Sequence, residues 1–474
     1  MADTMTVFQQ SLPVQVQAKP NKVTKSHMEK VSDLLCQDLD FHNDNDQHTS
    51  HSIHSFPAKF PPQLPRKFIL SLTQPGDTIL DPMMGSGTTI LEAFLTERQA
   101  VGFDIDPLAL LLTQVKVTSL DPEQVLECGR AILNRAKDKV THSRKDLEKE
   151  LTKRWEPKTH HFIDYWFALD TQVELLSLLD EIKNISNATL RAFFELAFSA
   201  IIITKSGGVS LAFDLAHTRP HKAKIIMDQN GNVLFGEELR DDPSPRLKFL
   251  TKTLRSPLQE FEKRLEKNIK GLQTSEQNLL SPTLEFGNAQ QLPLEDNYID
   301  LIVTSPPYAS NAIDYMRAHK FSLVWLGHLI DDLGTLRGEY VGGESLTGVD
   351  FEQLPPKTGS VVAKITTLDG KKGRILHRYY SEMTRSLREM FRVLKPGKTA
   401  IVVVGSSIMR GQDTETGECL ADIGQSIGFE VPKIGVRQLD RNRRMMPAGS
   451  KIDLRSQIQQ RMHEEYVIGF VKPG

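Results

Sequence analysis

The sequence predicts an α/β protein: an open, mixed sheet interrupted by a long, mainly helical insertion. Three observations carry this. Residues 78–89, Thr78-Ile79-Leu80-Asp81-Pro82-Met83-Met84-Gly85-Ser86-Gly87-Thr88-Thr89, read as a strand, a glycine-rich turn and a helix start. The mostly apolar run Ile299 to Val303 ends at Thr304-Ser305-Pro306-Pro307-Tyr308, so a strand stops at two prolines and an aromatic ring. Between about 121 and 280 the pattern turns helical, which splits the sheet-forming sequence in two.

Taken in order, residues 1–47 are polar with little periodicity and are expected to be a mobile or loosely held arm. Residues 48–120 hold a closing segment, the strand-turn-helix unit and a second strand, Ala100-Val101-Gly102-Phe103, which ends in Asp104-Ile105-Asp106-Pro107. In the insertion, 121–280, Leu126 to Trp155 is charge-rich and Thr171 to Ile201 is apolar-periodic. Leu247 to Leu272 again alternates Lys and Glu with Leu and Phe. Ser206-Gly207-Gly208-Val209 and Asp228-Gln229-Asn230-Gly231 mark loops or a short hairpin. From 281 to 474 the sheet pattern resumes, with strands at Leu284–Phe286, Ile299–Val303 and Thr399–Val404. A helix from His377 to Val393 is stopped by Lys395-Pro396-Gly397. Phe429–Val431 with Lys433–Val436, then Tyr466–Val471, form a closing antiparallel pair, and the Gly/Lys-rich segment 336–374 is expected as a flexible loop over the site.

At 474 residues the chain exceeds one average domain, which suits a core with a sizeable insertion. A hydrophobic content of 39% and a charged content of 25% are those of an ordinary soluble protein. Cys36, Cys128 and Cys419 are widely spaced, form no metal pattern and suggest a reducing compartment. The longest apolar stretch, Phe193 to Thr204, is interrupted by Glu195 and too short to span a bilayer. Met1 to Val14 lacks the basic start and apolar core of an export signal, so the expected location is cytoplasmic and nucleoid-associated, with no membrane partner.

The two motifs carry chemistry. Prolines offer no backbone N–H and press the preceding residue toward extended geometry. The Pro306-Pro307 pair therefore holds carbonyl oxygens and the Tyr308 ring at the carboxyl edge of the sheet, where open α/β sheets bind ligands. An amine needing acceptors and a base needing a stacking partner both fit there. At the glycine turn, Gly85 and Gly87 let the backbone approach a ligand, and Thr88 or Thr89 can cap the following helix. A Walker phosphate loop would need a lysine that is missing, and a dinucleotide fingerprint needs a third glycine where Ile90 stands. Asp104, at the end of the second strand, is placed to accept from ribose hydroxyls, with Asp106 next in line. A nucleoside cofactor without a pyrophosphate satisfies both observations, and S-adenosylmethionine is the candidate.

Asp-Pro-Met-Met-Gly-Ser-Gly-Thr-Thr (81–89) together with Thr-Ser-Pro-Pro-Tyr (304–308) resembles the amino-methyltransferases of DNA, which methylate exocyclic amines of cytosine or adenine. The resemblance implies a Rossmann-like class I methyltransferase fold with a mixed seven-stranded sheet. It places S-adenosylmethionine on Asp81, Pro82, Gly85, Ser86, Gly87, Thr88, Thr89, Asp104 and Asp106, and catalysis on Ser305, Pro306, Pro307 and Tyr308. His54-Ser55-Phe56-Pro57-Ala58-Lys59-Phe60-Pro61-Pro62 resembles the segment that closes over the methionine end of the cofactor, through Phe56, Ala58 and Lys59. Phe286-Gly287-Asn288-Ala289 resembles the adenine contact, through Asn288 and Ala289. Asn311 and Asp314-Tyr315 resemble residues lining the target pocket. Serine in the first tetrad position leans toward cytosine N4 and aspartate toward adenine N6, so N6-adenine methylation stays as the alternative. RNA amino-methyltransferases, which share the tetrad, typically add an RNA-binding domain that is not recognisable here. A catalytically silent DNA-recognition subunit would not need the intact Ser305, Tyr308 and glycine loop.

The implied partner is double-stranded DNA, with a cognate restriction endonuclease or defence component as a further expectation. A net charge of −2 makes any DNA footprint local. The segment 431–461 carries Lys433, Arg437, Arg441, Arg443, Arg444, Lys451, Arg455 and Arg461 against Asp440 and Asp453. Arg441, Arg443 and Arg444, in a turn-like run ending at Pro447, are the candidate phosphate contacts. Either the insertion or the 336–374 segment would read the bases. No cysteine follows a proline, which disfavours methylation at cytosine carbon 5, and no Gly-x-Ser-x-Gly elbow supports a hydrolase. His42, His48, His51 and His54 are irregularly spaced and are expected to be surface or loop histidines, with no metal.

Overall fold

In the computed structural model, which describes residues 26–41, 51, 53–56, 61–204, 206–215, 220–240, 250–272, 280–309, 314–439 and 464–474, both sheet-forming regions join one seven-stranded sheet. Its strands are β1 (Thr78–Asp81), β2 (Gln99–Asp104), β3 (Thr283–Phe286), β4 (Ile299–Thr304), β5 (Leu394–Gly405), β6 (Ile434–Gln438) and β7 (Glu464–Val471). The order across the sheet is β6-β7-β5-β4-β1-β2-β3. Neighbours run parallel except at β7, which is antiparallel to both β5 and β6. The chain builds outward from β1 through β2 to β3, then returns to lay β4 on the other side of β1. That reversal opens a crevice at the carboxyl ends of β1 and β4.

Both strands are buried along their whole length, as parallel strands covered on two faces by helices are. The two-residue period of the strands sorts their side chains. Ile79, Leu301, Val303, Ile401 and Val403 share a core with helices His27–Cys36, Gln63–Leu72 and Thr88–Leu95. Leu80, Ile302, Ala400 and Val402 share the opposite core with helices Pro356–Leu368, Gly370–Val393 and Thr416–Ile427.

The insertion leaves the sheet after β2 and returns at β3. Its helices Pro122–His142, Leu169–Lys183, Ala188–Ile202 and Pro257–Ile269 bury apolar faces in a core shared with helices Pro107–Lys116 and Tyr315–Leu326. Asp121, Asn187 and Ser256 cap three of these helices by accepting from first-turn backbone N–H groups. The insertion is not purely helical: Ala212–Asp214 pairs with His221–Lys222, and Ile225–Met227 pairs with Val233–Phe235 and Thr251–Thr253. Among the described residues, no helix is long and apolar enough to cross a membrane.

Three expectations are revised. The polar N-terminal arm contains a helix, His27–Cys36, with a capping box between Ser26 and Glu29 and with Val31 and Leu35 buried. It lies on β6 and β7 where Gly435 and Gly469 leave room; a Cβ on Gly469 would come within 2.8 Å of Val31. The segment 336–374 is not a flexible loop. It contains helix Pro356–Leu368, which buries Val361, Val362 and Ile365, and the start of the long helix Gly370–Val393, capped by Asp369. His51 and His54 are buried rather than at the surface, because Glu92 Oε1 and Ser199 Oγ give them partners at 3.0 and 3.1 Å.

Candidate active site

The crevice is built first by the glycine turn. Gly85 and Gly87 sit at φ +47° and +70°, a backbone region that side chains disfavour. Asp104, at the end of β2, holds the turn: its carboxylate accepts from Gly85 N–H at 2.8 Å and from Asp106 N–H at 2.9 Å. Behind the turn, Lys116 donates to the Ser86 carbonyl, and Thr89 Oγ1 donates to the Val303 carbonyl of β4 at 3.1 Å. The glycine turn's helix and β4 are thereby tied together. Neither threonine caps the helix Thr88–Leu95. Its N-cap is Gly87, and Thr88 Oγ1 instead meets Ser86 Oγ at 3.1 Å.

A cleft open to solvent lies over these ends. Pro82, Gly85, Ser86, Asp104 and Asp106 line one side, and Phe56, Asn288 and Ala289 line it further along. Ser305 and Pro307 open into the same cleft. Asp81, Gly87, Thr88, Thr89, Pro306 and Tyr308 are not among its lining residues; Asp81, Thr88 and Thr89 are buried beneath it. Ala58, Lys59, Asn311, Arg441, Arg443 and Arg444 lie outside the described residues.

The segment expected over the site and the Tyr315 named from the resemblance do line the cleft. What sequence reasoning missed is His319 and the individual roles of Glu339, Tyr340 and Val341. These three, in the turn at the carboxyl end of helix Ile330–Glu339, also line the cleft. This turn is held from beneath: Arg378 donates to the Gly338 carbonyl at 2.8 Å, and Glu382 accepts from Gly342 N–H at 2.8 Å. Tyr315 lines the cleft and stacks on Phe56, ring centroids 5.7 Å apart. His319, one helical turn on, places Nδ1 at 2.5 Å from Asp106 Oδ2. Nothing in the local sequence links these residues, because the partners are 213 positions apart.

Electrostatics separate the two acids. Desolvation in the recess, and then the neighbouring Asp106 charge, push the Asp104 carboxyl up to about 7. Burial is the largest influence on Asp106 and would raise it too, but His319 facing it, together with Leu108 N–H and Tyr340, holds that carboxyl below its usual value. Asp106 is further committed as the N-cap accepting from Leu108 N–H at 2.9 Å. Asp104 is thus the acid with freedom to respond to a ligand. Burial pushes Asp81 up to about 6.

Tyr308 stands beside the cleft, its hydroxyl donating to Glu465 Oε1 on β7 at 2.9 Å. Glu465 also receives Arg437 of β6, and Lys433 donates to Cys36 Sγ at 2.9 Å. Two of the basic residues expected to face DNA are therefore engaged within the protein. Among the described residues no group of His, Cys, Asp and Glu has the arrangement of a metal site.

A family model described as DNA methylase, for N6- and N4-methyltransferases, matches residues 3–114. The type II methyltransferase M.MvaI of Kocuria varians is similar over most of both proteins: 26% identity across 405 residues, covering 79% of this chain and 80% of that one. M.BsoBI of Geobacillus stearothermophilus is 23% identical across 410 residues, covering 76% of this chain and 74% of that one. M.MjaII of Methanocaldococcus jannaschii shares a shorter stretch, 35% identical over 88 residues, which is 19% of this chain and 17% of that one.

Proposed function

We propose that this chain, which belongs to the S-adenosylmethionine-dependent DNA amino-methyltransferases, methylates the N4 amine of cytosine at a specific site in double-stranded DNA. The observation that carries the reading is the shared cleft: Ser305 and Pro307, from the end of β4, open into the same space as Gly85 and Asp104. A methyl donor and an acceptor amine held in one cleft meet at short range, which is most of what a direct displacement needs.

The cleft residues fit the cofactor. Asp104 offers carboxylate lone pairs to ribose hydroxyls, and Phe56 and Tyr315 supply an aromatic wall. Asn288 and Ala289 flank the space an adenine ring would take. When bound, S-adenosylmethionine supplies a sulfonium-activated methyl group. The chain's own residues do the rest. An exocyclic amine is a weak nucleophile because its lone pair is delocalised into the ring. Ser305 Oγ and the Pro306 carbonyl accept its protons and turn the lone pair toward the methyl carbon. Once methylated, the amine would release a proton along its hydrogen bond to Ser305 Oγ or the Pro306 carbonyl and on to solvent. The target base must leave the duplex stack to reach this point, and Tyr308 offers its ring as the new stacking partner.

The serine at the head of the tetrad supports cytosine N4 over adenine N6. The relatives similar over most of their length are type II methyltransferases, which supports a modification role beside a cognate restriction nuclease or other defence component. Nucleoside mass spectrometry and modified-base sequencing of host DNA, with and without the protein, test both base and site. N4-methylcytosine at one short sequence is expected; N6-methyladenine would move the reading to the other base. Ser305→Ala should lower transfer by roughly a hundredfold or more, the scale of a lost catalytic hydrogen bond. Near-parental turnover would leave the amine to the Pro306 carbonyl alone.

A further inference from the structure

We infer that Glu465, held by Arg437, is a positioning residue that fixes the plane of the Tyr308 ring for the extruded base. This rests on the reading of Tyr308 as the stacking partner. Tyr308 comes directly after Pro306 and Pro307, whose locked φ angles stiffen the chain leading to its Cα. Its ring packs partly buried against the core, with its hydroxyl end still needing a partner. The hydrogen bond from its hydroxyl to Glu465 Oε1, 2.9 Å, pins the far end of the ring. Fixed at both ends, the ring presents one orientation.

The anchor is itself braced. Arg437 and Glu465 are direct partners across the antiparallel β6–β7 pair, and the guanidinium donates to Glu465 Oε2, the oxygen Tyr308 does not use. Both side chains are nearly enclosed, at 4% and 8% exposure. A buried ion pair in that setting is poor stabilising chemistry, since matched apolar residues do as well or better. Arg437 Nε also has no hydrogen-bond partner among the described residues, so the guanidinium is incompletely satisfied. A pair kept at the sheet edge despite this, with one oxygen aimed at the tetrad tyrosine, is explained by what it holds. Burial and then the Glu465 charge push the phenol well above its usual range, which keeps the hydroxyl a donor at all working pH.

The test uses the full chain, radiolabelled S-adenosylmethionine and unmethylated plasmid DNA. Tyr308→Phe removes the hydroxyl and keeps the ring. Arg437→Met with Glu465→Met removes the anchor while filling its volume and leaving no buried lone charge. Each should lower kcat by roughly ten- to a hundredfold, as expected of a reacting group misplaced by about 1 Å, with cofactor affinity and melting temperature held. Combined, they should lose no more than either alone, because both break the same hydrogen bond. In parallel, NMR of ring-labelled tyrosine, with Tyr308 assigned by its loss in Tyr308→Phe, should show that ring becoming mobile in the double methionine variant. Parental kcat in that variant, losses that multiply, or an unchanged Tyr308 ring signal would each overturn the inference. If the parent transfers no methyl group at all, the proposed function fails, and the ring signal decides the anchor on its own.

Discussion

Asp104 already holds two backbone N–H groups, one on each carboxylate oxygen, at 2.8 and 2.9 Å. Desolvation and Asp106 nevertheless lift its carboxyl to about 7, so below that pH the unliganded pocket holds it protonated. If ribose hydroxyls donate to this residue, as proposed, they favour its ionised form, and cofactor binding should pull its pKa down and release a proton. The sign follows: affinity for S-adenosylmethionine should rise as pH climbs toward 7 and level off above it. Below 7 the loss approaches tenfold per pH unit. Calorimetry in buffers of different ionisation enthalpy measures the released proton directly. Asp104→Asn should bind more weakly and flatten the pH profile; an unchanged profile would move the ribose contact elsewhere. Asp106, whose carboxyl is held below its usual value, would not give this pH dependence if it made the contact instead.

Among the elements, β1 with its glycine turn and β4 with its tetrad were legible because each joins a short, mostly apolar run to residues with unusual backbone demands. The β6–β7 pair was legible in kind, although β6 starts at Ile434 and Glu430 makes only an isolated bridge to Val471. Helix Pro356–Leu368 was not legible. Its Gly359 and clustered threonines are weak helix formers, and tertiary packing overrides them. Thr358 bonds Asp422 at 2.8 Å, and three apolar residues reach the core. The helix His27–Cys36 had a readable signal, Ser26 followed three residues later by Glu29, that the polar surroundings masked. Gly87 tests how tightly the elements around the site are fitted. A Cβ there would lie 2.4 Å from Thr113 Oγ1, and its left-handed backbone would add about 1–2 kcal/mol of strain. Gly87→Ala should lower the melting temperature and weaken cofactor binding. Adding Thr113→Ala removes the two nearest atoms but leaves the Thr113 Cβ position 2.9 Å away, so it should recover part of the stability but relieve neither the remaining crowding nor the backbone strain. Full recovery would mean the conformation costs nothing.

For the molecule as a whole, a net charge of −2 leaves no general attraction for DNA, so a duplex must be gripped by concentrated local charge. The basic segment 431–461 follows the last parallel strand, on the catalytic half. Its first two cations are spent within the protein, Lys433 on Cys36 and Arg437 on Glu465. Arg437 nevertheless ties β6, from which the segment continues, to the tetrad tyrosine through Glu465. Arg441, Arg443 and Arg444 begin four residues further along the chain, a short enough tether to reach phosphates beside an extruded base. Replacing these three with alanine should weaken binding to DNA of any sequence. The slope of log affinity against log salt should become shallower by about 0.9 for each phosphate no longer neutralised. Cofactor affinity should stay at the parental value, since contacts to DNA phosphates do not hold the cofactor. The measurement is a fluorescence-anisotropy titration over several salt concentrations with an arbitrary duplex, which isolates the sequence-independent grip. An identical affinity and slope in the triple variant would make this segment ordinary solvated surface. The insertion would then be the place to look, beginning with Lys222, whose ammonium lies 4.4 Å from the centre of the exposed Tyr165 ring.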